Sequence, residues 1–338
     1  MGHERGRQMK AVAMVSSGLD SMLAAKMIQD MGIEVTGLHA VFRYDPYMSE
    51  DPTDKMTELF KPTGIQLRIV DYSEAFLPVL LNPAHGYGSC VNPCIDCKIF
   101  IFTQAKKLMD EIGASFLFTG EVLGQRPMTQ KRNMMKHIER AAGLERLVLR
   151  PLCAKHLEPT IPEEEGWVDR NQLLDIIGRG RKVQLAMVKE YGIERFNSPA
   201  GGCILTNPQY ADRAKALMTH RRKESLTVED FQLLRLGRHF WPKPYLQIIV
   251  GRHEEDNTML EKFIPSRWYF EAVVEPGPVV LATGVHNQED IELVAGITAR
   301  YCKKSGEPKV TIQYKSPETQ GEVVASRMDA NAVAEWQV

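Results

Sequence analysis

The sequence predicts an α/β fold: a parallel, twisted sheet with helices on both faces over residues 1–222, then a smaller α+β domain over residues 226–338. Three observations carry this. Strand and helix patterns alternate through the first half, as they do where crossover helices cover a parallel sheet. The first apolar run, Ala11–Val15, passes through Ser16-Ser17-Gly18 directly into a helical pattern. Past Arg222–Ser225 the pattern changes to short strands with interspersed helices.

In order, Lys10–Val15 reads as strand, Leu19–Met31 as a helix stopped by Gly32, and Glu34–Phe42 as strand. Asp54–Phe60 reads as helix and Gln66–Asp71 as strand. Lys98–Ile112 is helical up to Gly113, Phe116–Gly120 is strand, Met128–Ala142 helix and Leu147–Leu152 strand. An acidic Pro-Glu-Glu-Glu-Gly loop precedes helical patterns at Asp169–Ile177, Val183–Tyr191 and Asn207–His220. In the second part, strands are expected at Leu246–Val250, Trp268–Val274, Val279–Thr283 and Val310–Tyr314, with helices near Asp256–Phe263 and Asp290–Lys303. No internal repeat is visible. In a parallel sheet of this kind ligands sit at the carboxyl ends of the strands.

The 338 residues, 43% apolar and 25% charged, are those of a globular protein. No run approaches the roughly 20 apolar residues that span a bilayer. The basic start, Met1–Gln8, has no apolar stretch behind it to make a secretory signal. A cytoplasmic location and no membrane partner are therefore expected. The net charge is −1 but unevenly spread. Between Arg126 and Lys155 the cations Arg126, Lys131, Arg132, Lys136, Arg140, Arg146, Arg150 and Lys155 face only Glu139 and Glu145. Arg179-Gly-Arg-Lys182 and Arg221-Arg-Lys223 add to them. A nucleic-acid backbone is attracted to such clusters, and solvated helix faces balanced by acids elsewhere explain them equally.

Ser16-Ser17-Gly18-Leu19-Asp20-Ser21 joins a strand to a helix start. Backbone N–H groups and hydroxyls at the positive end of a helix hold phosphate. The Gly-Lys-Ser/Thr of the Walker loop is absent. The plainer reading is a serine N-cap on a first βα unit. Cys94-Ile-Asp-Cys97 opens a helix after a Gly/Asn/Pro-rich loop, and Cys203 lies in a second small-residue loop, Ser198–Thr206. Three readings compete for them. Structural zinc would take Cys94, Cys97, Cys203 and either Cys90 or His85. A redox pair would use two cysteines and leave Cys203 idle. A [4Fe–4S] cluster on three cysteines would leave one iron open. Cys153 and Cys302 read as core or incidental thiols.

Ser16–Ser21 resembles the Ser-Gly-Gly-x-Asp-Ser pyrophosphate loop (PP-loop) of N-type ATP pyrophosphatases, with Ser17 in place of the first Gly. The loop, the Cys-x-x-Cys and the late cysteine, in that order, resemble the tRNA thiolases of that superfamily: 2-thiouridylases, 4-thiouridine synthases and above all their iron–sulfur-dependent members. Asn92–Lys98, Thr119–Gln130 and Ser198–Thr206 look like the same group, and the likeness covers about residues 9–218. The stretch Leu246–Asn257 resembles the NFACT-type RNA-binding domain.

This resemblance implies an adenine-nucleotide α-hydrolase-like fold and a tRNA sulfurtransferase. A uridine carbonyl oxygen attacks the α-phosphate of ATP, and a sulfur nucleophile then displaces AMP. ATP would contact Ser16, Ser17, Gly18, Asp20, Ser21, His39, Gly120 and Gln125, with Asp20 anchoring Mg²⁺. Cys94, Cys97 and Cys203 would be catalytic and would hold the [4Fe–4S] cluster, with Zn²⁺ as the alternative. Arg126, Lys131, Arg132, Arg221, Arg222 and Lys223 would contact tRNA. Sulfide or a persulfide carrier would donate sulfur. The rivals are a PP-loop ligase or amidotransferase with a structural zinc site, a persulfide-based thiolase without a cluster, and a non-catalytic RNA-binding protein.

Overall fold

A computed structural model describes residues 9–48, 52–196, 202–303 and 308–338. The sequence readings at Met1–Gln8 and Ser198–Gly201 lie outside these residues. The chain divides into two compact units. The first holds the described residues up to Phe42, those from 52 to 196, and Gly202. The second holds Arg43–Met48 and the described residues from Cys203 onward. The boundary expected at 222–226 falls inside the second unit.

The first unit runs β1 (Lys10–Met14), α1 (Leu19–Asp30), β2 (Glu34–Val41), α2 (Thr53–Phe60), β3 (Gln66–Asp71), α3 (Ser73–Leu81), α4 (Cys94–Ile112), β4 (Phe116–Thr119), α5 (Arg132–Ala141), β5 (Val148–Leu149), α6 (Ile161–Glu164) and α7 (Lys182–Glu190). Its five strands pair in parallel in the order β3-β2-β1-β4-β5. Strand order reverses between β1 and β4, and such a switch point opens a crevice at the carboxyl ends. Side chains alternate across the sheet. Ala11, Ala13 and Val15 pack with Leu19, Met22 and Leu23 of α1, while Val12 packs with Phe102, Ala105 and Met109 of α4. The small residues of β1 allow α1 a close approach.

The parallel α/β architecture agrees with the sequence reading, and its details correct that reading. Helix α3 is unexpected, because its apolar run contains Pro78. The expected helix at Asp169–Ile177 is a single 3₁₀ turn, Arg170–Gln172, followed by extended chain. There Leu174 N–H donates to the Pro151 carbonyl and Ile176 N–H to that of Leu152, both at 2.9 Å. Pairing with a neighbouring segment overrides the local helical spacing. The strand expected over Leu147–Leu152 is likewise reduced to two residues.

The second unit runs α8 (Pro208–His220), α9 (Val228–Leu233), β6 (Arg238–Lys243), β7 (Leu246–Val250), α10 (Glu254–Glu261), β8 (Trp268–Ala272), β9 (Val280–Thr283), α11 (Gln288–Tyr301), β10 (Lys309–Lys315), β11 (Gln320–Ser326) and α12 (Ala330–Ala334). Its antiparallel sheet has the order β11-β10-β8-β9-β7-β6. Three hairpins, β6–β7, β8–β9 and β10–β11, are each followed by a helix whose N-cap side chain (His253, Asn287, Asp329) accepts a backbone N–H. This is a repeat of topology. Unequal loops and differing cap residues hide it in the sequence.

Candidate functional site

The turn after β1 is closed by Ser21. Its hydroxyl lies 2.8 Å from the carbonyl oxygens of both Ser16 and Gly18, which share its one proton, and it accepts the Ser16 N–H at 3.2 Å. Gly18 is the N-cap of α1 with extended backbone (φ −85°, ψ 149°), so the turn needs no left-handed residue. That removes the one steric objection to Ser17 beside it. Gly120, just past β4, presses on this turn. A Cβ there would lie 2.5 Å from the Asp20 carbonyl oxygen and the Ser21 amide nitrogen, so only glycine fits. His39, near the end of β2, meets the Val15 carbonyl through Nδ1 at 3.1 Å. Burial pushes its pKa down despite that bond, so the ring is neutral near pH 7 and Nδ1–H is the donor.

Asp20 sits in the first turn of α1. Its Oδ2 accepts Gln125 Nε2–H at 2.9 Å. Its Oδ1 is buried and has no hydrogen-bond partner among the described residues. A buried carboxylate oxygen without a donor is costly. A hard cation, which prefers carboxylate and phosphate oxygens, fits that vacancy in the bonding. Gln125 belongs to a compact turn after β4, in which Gln125 N–H donates to Val122 and Gly124 N–H to Gln130. The next residue, Arg126, is exposed, and its positive charge acts on the Cys94 thiol. One turn thus touches the phosphate loop with one residue and faces the cysteine pair with the next.

Cys94 and Cys97 lie one helical turn apart at the start of α4, on the same side and at its positive end. Burial pushes the Cys94 thiol up, against the pulls of Arg126 and Lys98, and Cys94 Sγ–H donates to Asn92 Oδ1 at 3.1 Å. Two adjacent sulfurs fit a thiophilic metal centre, whose binding would displace that proton. Cys203 is exposed and belongs to the second unit. His85 is committed to other partners: Nδ1 meets Asp96 Oδ1 at 2.9 Å, and Nε2 meets His137 Nε2 at 2.8 Å. Cys90 has a left-handed backbone, φ 60°. Among the described residues no group of three His, Cys, Asp or Glu side chains is arranged to hold a metal ion.

Sequence reasoning missed a buried charge network at the same strand ends. Glu121 pairs with Lys98 at 3.0 Å and with Arg150 at 3.1 Å, and Arg150 also pairs with Glu139. Burial alone would raise the Glu121 pKa, but Lys98 and Arg150 overcome it and hold the group at about 2. The available signal was a charged residue within two positions of the end of each of two apolar strands, Glu121 after β4 and Arg150 after β5. Of the expected RNA contacts, Lys131 and Arg132 are exposed at the start of α5 in the first unit. In the second, Arg222 is exposed, Lys223 is half-buried, and Arg221 pairs with Asp230 at 2.5 Å. Among the described residues no helix is long and apolar enough to cross a membrane.

Residues 6–161 match the family model described as thiamine biosynthesis protein (ThiI), and residues 237–337 match that of the NFACT protein RNA binding domain. The two matched stretches are consecutive and do not overlap. It is 33% identical over 114 residues to the tRNA-specific 2-thiouridylase MnmA of Nitratidesulfovibrio vulgaris, covering 32% of each chain. It is 30% identical over 125 residues to a probable tRNA sulfurtransferase of a Thermoanaerobacter species, covering 36% of this chain and 31% of that one. The chain thus spans about a third of the length of these curated relatives. Among solved structures, a 4-thiouridine synthetase–RNA complex with bound ATP aligns at 19% identity and a TM-score of 0.43, over 67% of this chain and 52% of that one.

Proposed function

We propose that this protein is an ATP-dependent tRNA thiouridine synthase. The observation that carries the reading is Asp20: a first-turn carboxylate beside a phosphate-type loop, held through one oxygen by Gln125, with the other oxygen buried and open. The ThiI-type and NFACT-type matches and the two thiolase relatives support it.

In the first step a uridine carbonyl oxygen attacks the α-phosphorus of ATP, and the bond to the β-phosphate oxygen breaks. N–H groups at the start of α1 offset charge on the departing pyrophosphate, where it develops. Asp20 would hold Mg²⁺ against the phosphates, and Gln125 fixes the orientation of its carboxylate. In the second step a sulfur nucleophile attacks the activated ring carbon, and AMP leaves with the C–O electron pair. Cys94, Cys97 and Cys203 would hold an iron–sulfur cluster, which when bound offers an iron at which inorganic sulfur is kept. Arg126, Lys131, Arg132 and Arg222 would contact the RNA backbone, together with the second unit. Arg221 is instead an internal ion pair.

The test is the product set with α-labelled ATP, tRNA and sulfide after anaerobic purification. AMP, pyrophosphate and a thiolated uridine are expected, with about four irons per chain. ADP as product would overturn the assignment. Zinc in place of iron would favour the ligase reading with a structural metal.

A further inference from the structure

The segment after Ile176 carries charges that neither the phosphate loop nor the cysteine pair uses. Ile177 forms a parallel bridge with Leu123 of the turn after β4, and Gly178 N–H donates to the Leu123 carbonyl at 2.8 Å. Gly124 and Gly178 both take a left-handed backbone, φ 78° and 77°, and a Cβ on Gly124 would lie 3.8 Å from Gly178 Cα. The two stretches thus run side by side and turn together. One leads into Gln125, which holds Asp20, and the other into Arg179.

Arg179 and Lys182 are exposed and Arg181 is half-buried, and none of the three forms an ion pair among the described residues. Arg181 is the N-cap of α7 and Lys182 its first residue, with no acid in the first turn. Positive charge at that end opposes the helix macrodipole, so the cations repel the helix start as well as one another. Arg126 on the facing turn is exposed too, and the acid nearest the segment in the chain is Asp175. An anion held along the segment removes this repulsion, and a polyanion meets several of the cations at once.

Ile177 narrows the choice of polyanion. An exposed isoleucine alone is ordinary. This one is 58% exposed while its backbone is fixed by the bridge to Leu123, and Val183 and Leu185 of α7 are exposed beyond it. Cations beside a fixed apolar side chain match a nucleic acid with an unstacked base: phosphates meet the cations, and the base face meets the apolar group. A paired stem offers its phosphates but hides its base faces.

We propose that Ile177–Lys182 is an RNA-docking segment, in which Arg179, Arg181 and Lys182 hold the backbone and Ile177 packs against an unstacked base. Ile177 is then a positioning residue: it keeps single-stranded RNA open beside the turn that touches the phosphate loop. The inference rests on the reading of RNA as the substrate.

The test uses the full chain without ATP and two fluorescent probes, a short oligouridylate and an RNA duplex of the same length, read by anisotropy over a range of salt. Replacing Arg179, Arg181 and Lys182 together by Gln should flatten the slope of log affinity for oligouridylate against log salt by about 2. Ile177→Ser should weaken oligouridylate binding about five- to tenfold with no change of slope, and leave the duplex unaffected. Ile177→Met should restore most of the loss. Cross-links from a 5-iodouridine oligomer should map to residues 177–185. Thermal melting and ATP affinity should match the parent in each variant. An unchanged slope in the triple variant, equal loss on the duplex with Ile177→Ser, or cross-links only outside the segment overturns the proposal. Tighter binding of a peptide of alternating Asp and Leu than of oligouridylate also overturns it, and assigns the segment to a protein partner. Because binding is read without ATP, absence of AMP formation counts against the proposed reaction and not against this contact.

Discussion

Three turns in this molecule share one local plan: a strand ends, a glycine turns the chain, and a helix begins with an aspartate in its first turn. Two lie in the second unit, at Gly251 before α10 and Gly284 before α11, and their aspartates are saturated by neighbouring groups. Asp256 accepts Arg252 Nε–H at 2.7 Å, Tyr47 O–H at 3.0 Å and Gly237 N–H at 3.2 Å. Asp290 accepts Lys243 Nζ–H at 2.8 Å and His286 N–H at 2.9 Å. The third, Asp20 at the end of β1, is bonded through Oδ2 and keeps a buried Oδ1 open. The same turn thus closes a fold in one unit and leaves a bonding position in the other. Helix-start aspartates do not identify a site. The proposed function rests on the one left incompletely bonded.

The comparison breaks most visibly on activity. Asp20→Asn is expected to lower AMP formation by about 10²–10³-fold while the melting temperature stays close to that of the parent. A large loss of stability in that variant would make Asp20 a fold residue like the other two. Glu121→Gln tests the charge network beside the loop. It leaves Lys98 and Arg150 with a buried charge to spare, and chemical denaturation should show a loss of about 3–4 kcal/mol. Asp256→Asn is expected to cost about 2–3 kcal/mol, read as a lower melting temperature, with ATP cleavage unchanged. Loss of AMP formation there without loss of stability would collapse the distinction.

Acid sharpens the same contrast. His239 in β6 is fully buried and held at about 3, because burial and the nearby Arg213 disfavour its charged form. An unfolded histidine takes a proton near pH 6.5, so this contribution to stability is intact above that pH. It is lost as pH falls towards 3, and at pH 5 the loss is about 2 kcal/mol. Glu121 behaves differently. Its folded pKa lies below its unfolded value, so its contribution is present above about 4.5 and disappears only as pH falls towards 2. Amide exchange at pH 5, corrected for intrinsic rates, should therefore show β6 and β7 losing protection relative to pH 7, while β1 and β4 keep theirs.

What the sequence made legible was local. Ser16–Ser21 reads as a phosphate turn because strand, glycine and helix start are contiguous, and Cys94 and Cys97 read as a pair because three residues make one helical turn. What it concealed joins distant residues. Gln125 reaches Asp20 across 105 positions, and Arg150 joins Glu121 and Glu139 from three separate elements. Nothing in the periodicity of any one segment encodes those contacts. The segment after Asp169 fails for the same reason, since its backbone partners, Pro151 and Leu152, lie on another segment. Arg221 looks like a phosphate contact in a basic triplet, and Asp230, which binds it, lies nine residues further on.

The most direct test of the account follows the α-phosphate. Anaerobically purified protein is given α-labelled ATP, tRNA and sulfide, and the nucleotide products and the tRNA nucleosides are quantified together, for the parent and for Asp20→Asn. AMP and thiouridine in equal amounts are expected for the parent, and both lowered by about 10²–10³-fold for the variant. Release of ADP, or thiouridine formed equally by Asp20→Asn, would contradict the account.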